Sequence, residues 1–531
     1  MRDDTPVMRV SDLRVAYRRR GLNEQYAEVL KGVSFNLYSG KVLAVLGESG
    51  SGKSTIAKAV SGLLPTSARI ESGTARYGDF FADLSAAGTP DWYKTRGSFF
   101  TMIFQDARLA LNPLMTVREH FKELLVFHRL AAVRDVDDVS AALLQKLNFT
   151  APADVLGSYP FQLSGGMCQR VYIALSLCLR PKVLIADEPT SALDTVSQRE
   201  VLNLIKHIQR EFNLAVLLIT HDIAVARTAG DSVMALNKGI VEETGDVKKV
   251  FAYPESAYTK ELIASRARIE TIECRGRNCS ETVLLSIENL AKNFSRRGVL
   301  HDLNLTLHEK EVIGILGASG CGKSTLARCI VALEKPDGGK VLYSGTNTTA
   351  LSRRARRQLC RHIQIIFQDA RASLNPRHTA LRLVMEPLRY FNQGSRNERA
   401  EKARHYLALV GLDVDTQARR PPQLSTGQCQ RVAIARALVL QPDILICDEA
   451  VSALDMSIQS QILELLRDLH EQQGFSILMI SHDIRILRSF CHKIAVMKDG
   501  GFNEISDSKN MRIESAGAYT RALLESEPAY E

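Results

Sequence analysis

No apolar run in the 531-residue chain approaches the ~18–20 residues that a bilayer-spanning helix needs. The amino terminus, MRDDTPVMRV, has no apolar stretch behind its charges, so no secretory signal is expected there. Both absences place the expected chain in the cytosol. None of the ten cysteines pairs as C-x-x-C, which argues against a zinc ribbon and against a disulfide framework. Cys274 and Cys279 lie close together in IECRGRNCS, but an iron–sulfur site takes about four ligands. They are read as two free thiols. Neither sign of charge dominates, since 68 Lys+Arg stand against 59 Asp+Glu, a net +9. Such an excess fits an anionic ligand, the cytoplasmic face of a membrane or nucleic acid, and does not separate them.

What is abundant is repetition. The chain is too long for one ordinary core, and it carries most of its distinctive segments twice. LGESGSGKST (46–55) returns as LGASGCGKST (316–325), and IFQDARLALNP (103–113) as IFQDARASLNP (366–376). LSGGMCQR (163–170) is answered by LSTGQCQR (424–431), and PKVLIADEPTSALD (181–194) by PDILICDEAVSALD (442–455). VLLITHD (216–222) matches ILMISHD (477–483), and even the tails correspond, AYTKELI (257–263) with AYTRALL (518–524). From the paired LS-x-G segments onward the offset between copies is constant. The expected organisation is a first domain over 1–264, a linker over 265–282 with charge, glycine and little apolar periodicity, and a second domain over 283–531. Apolar runs such as KVLAVLG, KVLIADE and LAVLLITH are apolar on both faces and are followed by helical patterns. They read as strands of a mainly parallel sheet covered by helices, an α/β nucleotide-binding core.

GESGSGKS (47–54) and GASGCGKS (317–324) both fit G-x-x-x-x-G-K-[ST], the phosphate-cradling P-loop. Gly47, Gly50 and Gly52, with Gly317, Gly320 and Gly322, let successive N–H groups turn toward a phosphate chain at a helix start. Thr55 and Thr325 follow in the same helical turn. Lys53 and Lys323 would reach the β- and γ-phosphates, while Ser54 and Ser324 would offer hydroxyls to Mg²⁺. Asp187 and Asp448 end apolar strands, where a carboxylate can hold that ion. Glu188 and Glu449 follow at once, placed to orient and polarise an attacking water.

The order of P-loop, FQD, LSGG-x-x-QR, strand-Asp-Glu, SALD and THD resembles the ATP-binding-cassette (ABC) ATPases, over nearly the whole chain. The resemblance implies two tandem P-loop ABC-type nucleotide-binding domains, each a mainly parallel sheet with an antiparallel β part and a helical subdomain. It implies ATP and Mg²⁺ as ligands. Gln105 and Gln368 match the glutamine that senses Mg²⁺ and water and relays to a membrane partner. Ser164, Gly165 and Gly166, and likewise Ser425, Gly427 and Gln428, match the signature that closes on the opposing unit's γ-phosphate. Asp194 and Asp455 match the loop acid at that interface, and His221 and His482 the switch histidine. Tyr17 and Phe294 are the candidates for the aromatic that stacks on adenine. The signature's hydroxyl, backbone N–H groups and helix dipole suit an anion, and it lies more than a hundred residues from its own P-loop. The implied pairing of the halves is head to tail.

The segments FQDARLALNPLMTVREH and FQDARASLNPRHTALRL are similar to the ATPases that drive oligopeptide, dipeptide and nickel importers. The two signatures resemble the two ATPase types of that group, and YPESAYTKEL and AGAYTRALL its tail. The resemblance thus implies a fused ATPase with two transmembrane permease partners and an extracytoplasmic solute-binding protein. It would sit peripherally on the cytoplasmic face of the inner membrane and import a peptide-like solute, or alternatively nickel or a metallophore complex. Ala107 and Ala370 depart from the group's usual proline, and Thr426 places a branched side chain where the signature has glycine, which is expected to weaken a site without abolishing it. A twin-cassette translation factor would carry a long charged helical linker, and a DNA-repair ATPase C-x-x-C insertions. Neither feature is present, so no nucleic-acid partner is expected, and RRARRQLCRH (353–362) is read as a solvated helix face.

Overall fold

The computed structural model describes residues 5–18, 25–86, 92, 95–191, 193–272, 280–294, 297–452, 454–511 and 516–526. The chain divides into two compact units, with the boundary between Ile263 and Ala264.

In the first unit, the six-stranded sheet runs in the order Ile240–Asp246, Ser232–Asn237, Val42–Leu46, Ala215–Thr220, Val183–Asp187, Phe100–Ile103. Only the outer Ile240–Asp246 strand is antiparallel to its neighbour. The central strands are buried at every position, as a parallel sheet covered on both faces requires. Their side-chain alternation splits them between two cores. Leu43, Val45, Val183, Ile185, Leu217 and Ile219 pack with residues of a second, antiparallel sheet. Val42, Leu184, Ala186, Val216 and Leu218 pack with helices. The antiparallel sheet has the order Tyr26–Leu37, Met8–Arg18, Ala68–Tyr77, Phe80–Asp83. The helical part comprises Val117–Phe127, Val136–Lys146, Pro152–Gly157 and Gly165–Leu177. Thr116 and Glu119 close a reciprocal cap on its first helix.

The second unit repeats this plan. Its large sheet runs Ile363–Ile366, Ile444–Asp448, Ser476–Ser481, Val312–Leu316, Lys493–Lys498, Gly501–Asp507, again with one antiparallel edge strand. Its antiparallel sheet runs Arg297–His308, Val283–Phe294, Gly338–Tyr343, Thr346–Asn347. Helix Arg353–His362 turns Leu359 inward and leaves Arg353, Arg354 and Arg356 exposed. The Arg357 guanidinium lies 4.3 Å from the Tyr390 ring.

The start of the expected linker is helical. Helix Ala257–Thr271 runs through it, with Leu262, Ser265, Arg266, Ile269 and Ile272 buried along the helix and just past its end. Those positions fall three and four apart, a helical face. Serine and arginine occupy two of them, which is why apolar periodicity was weak there. Cys274 and Cys279 lie outside the described residues, and no disulfide joins the described cysteines.

Candidate active site

Each P-loop connects the end of a central strand to a helix, Val42–Leu46 to Lys53–Val60 and Val312–Leu316 to Lys323–Ile330. Gly52 and Gly322 hold φ of 107° and 111° at the helix start, a region closed to side-chain-bearing residues without strain. A Cβ on Gly47 would lie 2.3 Å from the Leu236 carbonyl oxygen, so close backbone approach demands glycine there too. The cradle holds its own lysine. Lys53 Nζ donates to the Gly47 and Glu48 carbonyls at 2.7 and 2.8 Å. Lys323 Nζ does the same to Gly317 and Ala318 at 2.8 and 2.9 Å.

Beside each loop, hydroxyl and carboxylate converge. Ser54 Oγ donates to Asp187 Oδ1 at 2.9 Å and Ser324 Oγ to Asp448 Oδ1 at 3.0 Å. Burial pushes both aspartates' pKa values up, against those hydrogen bonds. A buried carboxylate of this kind gains from a cation. The donor set is all oxygen, which fits Mg²⁺.

The next residue bends the chain. Glu188 and Glu449 have φ of 48° and 49°, uncommon for glutamate. Their N–H groups bond Ile219 O and Ile480 O, each at 3.0 Å. The turn brings the second carboxylate to the same strand-end region as the first. Glu188 Oε2 accepts from Gln105 Nε2 at 3.0 Å, and its Oε1 lies 3.3 Å from His221 Nδ1. Glu449 Oε2 accepts from Gln368 Nε2 at 2.9 Å and lies 3.6 Å from His482 Nδ1. Burial would raise both glutamates, but the histidine hydrogen bond and charge, with the P-loop lysine, carry them below the usual range. Burial would lower His482, and Glu449 and Asp483 raise it instead. Each glutamate is therefore held as a carboxylate, the state a proton acceptor needs.

The signature residues do not join this cluster within their own unit. Ser164 caps helix Gly165–Leu177, accepting from Met167 N at 3.2 Å through Oγ and from Cys168 N at 2.9 Å through its carbonyl. Ser425 caps Thr426–Leu438 in the same way, accepting from Gln428 N at 3.2 Å. Gln428 also takes the Ser425 N–H at 3.0 Å, a reciprocal cap that Met167 cannot make in the first unit. Asp194 caps helix Thr195–Glu211, and Asp455 precedes Met456–Gln473.

These geometries meet three sets of likenesses. The family model described as "ABC transporter" matches residues 30–191 and 300–452. The chain is similar to the glutathione import ATP-binding protein GsiA of Salmonella typhimurium, 35% identical over 566 residues that cover 99% of this chain and 90% of that one. The GsiA of Escherichia coli K12 is likewise 35% identical, with the same coverage of both chains. The chain belongs to the ABC transporter family. It is a fused twin-cassette ATP-binding protein of the oligopeptide, dipeptide and nickel importer group, and it binds and hydrolyses ATP. Among solved structures, the dimeric cassette MJ0796 bound to ADP and Pi is 33% identical, with a TM-score of 0.40, covering 43% of this chain and all 100% of that one. The cbiO1 cassette from Clostridium perfringens is 31% identical with the same score, covering 43% of this chain and 90% of that one.

In this ABC ATPase, each unit gathers P-loop, strand-end aspartate, glutamate, glutamine and histidine. Tyr17 and Phe294 occupy matching places. Each lies five residues beyond a left-handed residue, Asp12 or Asn289, in the corresponding antiparallel strand. Phe294 is exposed, with Lys292 Nζ 5.2 Å from its ring. The signature glycines are not equivalent. A Cβ on Gly165 would meet Leu193 at 3.4 Å, an ordinary contact. On Gly166 it would lie 3.1 Å from Ser197 Oγ, and on Gly427 only 2.7 Å from Ile458 Cγ2. Thr426 is exposed. One contact escaped the sequence reading. The Tyr258 hydroxyl accepts from Glu48 N in the first P-loop at 3.0 Å, and its only sequence signal was the duplicated AYT tail.

Proposed function

We propose that this ABC ATPase drives an importer of a peptide-like solute, working with two permeases on the cytoplasmic face of the inner membrane. The observation that carries the reading is full-length likeness, 99% of this chain, to a protein named for glutathione import. Glutathione is a small peptide, and both cassettes keep every chemical group of the cluster.

Lys53 and Lys323 turn from their carbonyls to the β- and γ-phosphates. Ser54 with Asp187, and Ser324 with Asp448, would hold Mg²⁺, with Gln105 and Gln368 nearby. Bound there, Mg²⁺ would offset the negative charge that develops during phosphoryl transfer. Glu188 and Glu449 take a proton from the attacking water as its oxygen bonds to the γ-phosphorus and ADP departs. His221 and His482 hold those carboxylates in place and contact the γ-phosphate, while Tyr17 and Phe294 carry the adenine. The signature serines, whose described bonds stay within their own helix turns, serve the other cassette's nucleotide head to tail, with Asp194 and Asp455 at that seam. ATP that contacts both cassettes only when they are closed favours the closed state, which is what a power stroke requires. The glutamines, bonded to the catalytic carboxylates, carry that closure to the permeases. No described helix is long and apolar enough to cross a membrane.

The test is ATP turnover after reconstitution with two permeases and a solute-binding protein of this importer group. Short peptides are expected to stimulate hydrolysis. Stimulation by nickel chelates alone would overturn the solute class, and indifference to any permease would overturn the importer reading.

A further inference from the structure

The duplicated tail is the one repeated motif that the nucleotide chemistry leaves without a task. It is built into each unit in the same way. In the first, Glu243 on the edge strand accepts from the Glu255 and Ser256 N–H groups at 3.0 and 3.1 Å, just before helix Ala257–Thr271. In the second, the matching Glu504 accepts from Gly517 N at 3.3 Å and from Thr520 Oγ1 at 2.7 Å. A glutamate on the edge strand thus clamps the entry to each tail helix. Ser256 Oγ, accepting from Tyr258 N at 3.1 Å, sets the first helical turn. The tyrosine hydroxyl is thereby delivered to Glu48 N in the P-loop.

Glu48 is the fixed point of that loop. Its carbonyl accepts from Ser51 N at 3.1 Å and from Lys53 Nζ at 2.8 Å. Its N–H is taken by Tyr258. Beyond it, Gly50 and Gly52 hold φ of 80° and 107°, and glycines are the residues that lose most freedom on ordering. An anchor from outside such a loop offsets part of that ordering cost by fixing the peptide that parks the lysine.

We propose that Tyr258 is a positioning residue for the first nucleotide site, its hydroxyl pinning the Glu48 peptide so that Lys53 is held ready for the phosphates. The proposal rests on residues 47–54 being the nucleotide cradle. It assigns the tail motif to ATP affinity, because the tyrosine hydroxyl holds the peptide whose carbonyl parks Lys53.

The experiment uses the full chain. Tyr258→Phe keeps the ring and removes the hydroxyl. Steady-state hydrolysis is expected to show KM for ATP raised about two- to tenfold, the worth of one neutral hydrogen bond, with kcat unchanged. Titration with a fluorescent ATP analogue in a Lys323→Ala background, which silences the second P-loop, is expected to show the same loss of affinity. Glu243→Ala, acting through the same clamp, is expected to be non-additive with Tyr258→Phe. Tyr253→Phe, on an exposed ring just before the tail helix, serves as the control. Unchanged affinity in Tyr258→Phe, or a fall in kcat at constant KM, overturns the proposal. Lys53→Ala separates the two readings. If it too binds normally, the cradle assignment fails, whereas loss of binding there with normal Tyr258→Phe removes only the positioning role.

Discussion

Replacing Glu188 or Glu449 by glutamine removes a charge and almost nothing else. The side chains are isosteric, the bent backbone at φ 48° and 49° is as available to glutamine as to glutamate, and the anchoring N–H bonds to Ile219 O and Ile480 O do not involve the side chain. What is lost is the proton acceptor, because Gln105 and Gln368 donate at 3.0 and 2.9 Å to an oxygen that can no longer take a proton from water. A positioned acid or base contributes about 10²–10⁴ in rate, or about 2.7–5.4 kcal/mol of barrier at 1.36 kcal/mol per decade. Each substituted site is expected to slow by that factor, while ATP binding persists, since one negative charge near the triphosphate has gone. If the two sites fire only together, each single variant falls nearly to the level of the Glu188→Gln/Glu449→Gln double variant. Phosphate release at saturating Mg-ATP, paired with equilibrium nucleotide binding, reads both quantities. Unchanged turnover in either single variant would refute that glutamate's catalytic assignment.

The signature makes a contrast testable by calorimetry. Gly427→Ala drives a methyl to 2.7 Å from Ile458 Cγ2 and is expected to cost about 1–3 kcal/mol, lowering the melting temperature of the second unit. Gly165→Ala, with 3.4 Å to Leu193, is expected to leave the melting temperature unmoved, and equal shifts would contradict the packing account. Thr426→Gly is expected to leave ATP turnover equal or higher, and a large loss would show that the threonine has been recruited. The Glu449–His482 pair predicts a pH effect of definite sign. The lowered Glu449 pKa contributes stability above its unfolded value of about 4.3, lost as pH falls through the folded one. The raised His482 pKa contributes below its unfolded value of about 6.5, lost as pH rises through the folded one. Without His482, burial dominates Glu449 and its pKa rises. In a Glu188→Gln background, His482→Ala should therefore move the acid limb of kcat to higher pH; a limb that stays put removes the histidine from that role.

Much of this site was legible because its groups are adjacent in the chain. The P-loop carries glycine spacing, lysine and hydroxyl within one short segment, and Asp187–Glu188 within two residues. Duplication then set each match in repeated context. The linker was harder, because the buried face of helix Ala257–Thr271 includes Ser265 and Arg266, residues that hydropathy reads as solvent-facing. That Tyr17 and Phe294 stand at matching places shows only in the backbone, where Asp12 and Asn289 make the same left-handed bend five residues earlier.

The sequence alone determined two α/β nucleotide cassettes, their phosphate loops and the paired carboxylates at their strand ends, because those depend on local spacing and strand-end position. Tertiary structure decided the rest. It separated Gly165 from Gly166, since neighbours at a helix start point about 100° apart and only one faces packed atoms. It turned Glu188 toward Gln105 and His221 through a backbone bend that no residue type announces. And it carried a tail hydroxyl across 210 residues of chain to the first P-loop, a contact set by the clamp on Glu243 and the packing of a sheet edge.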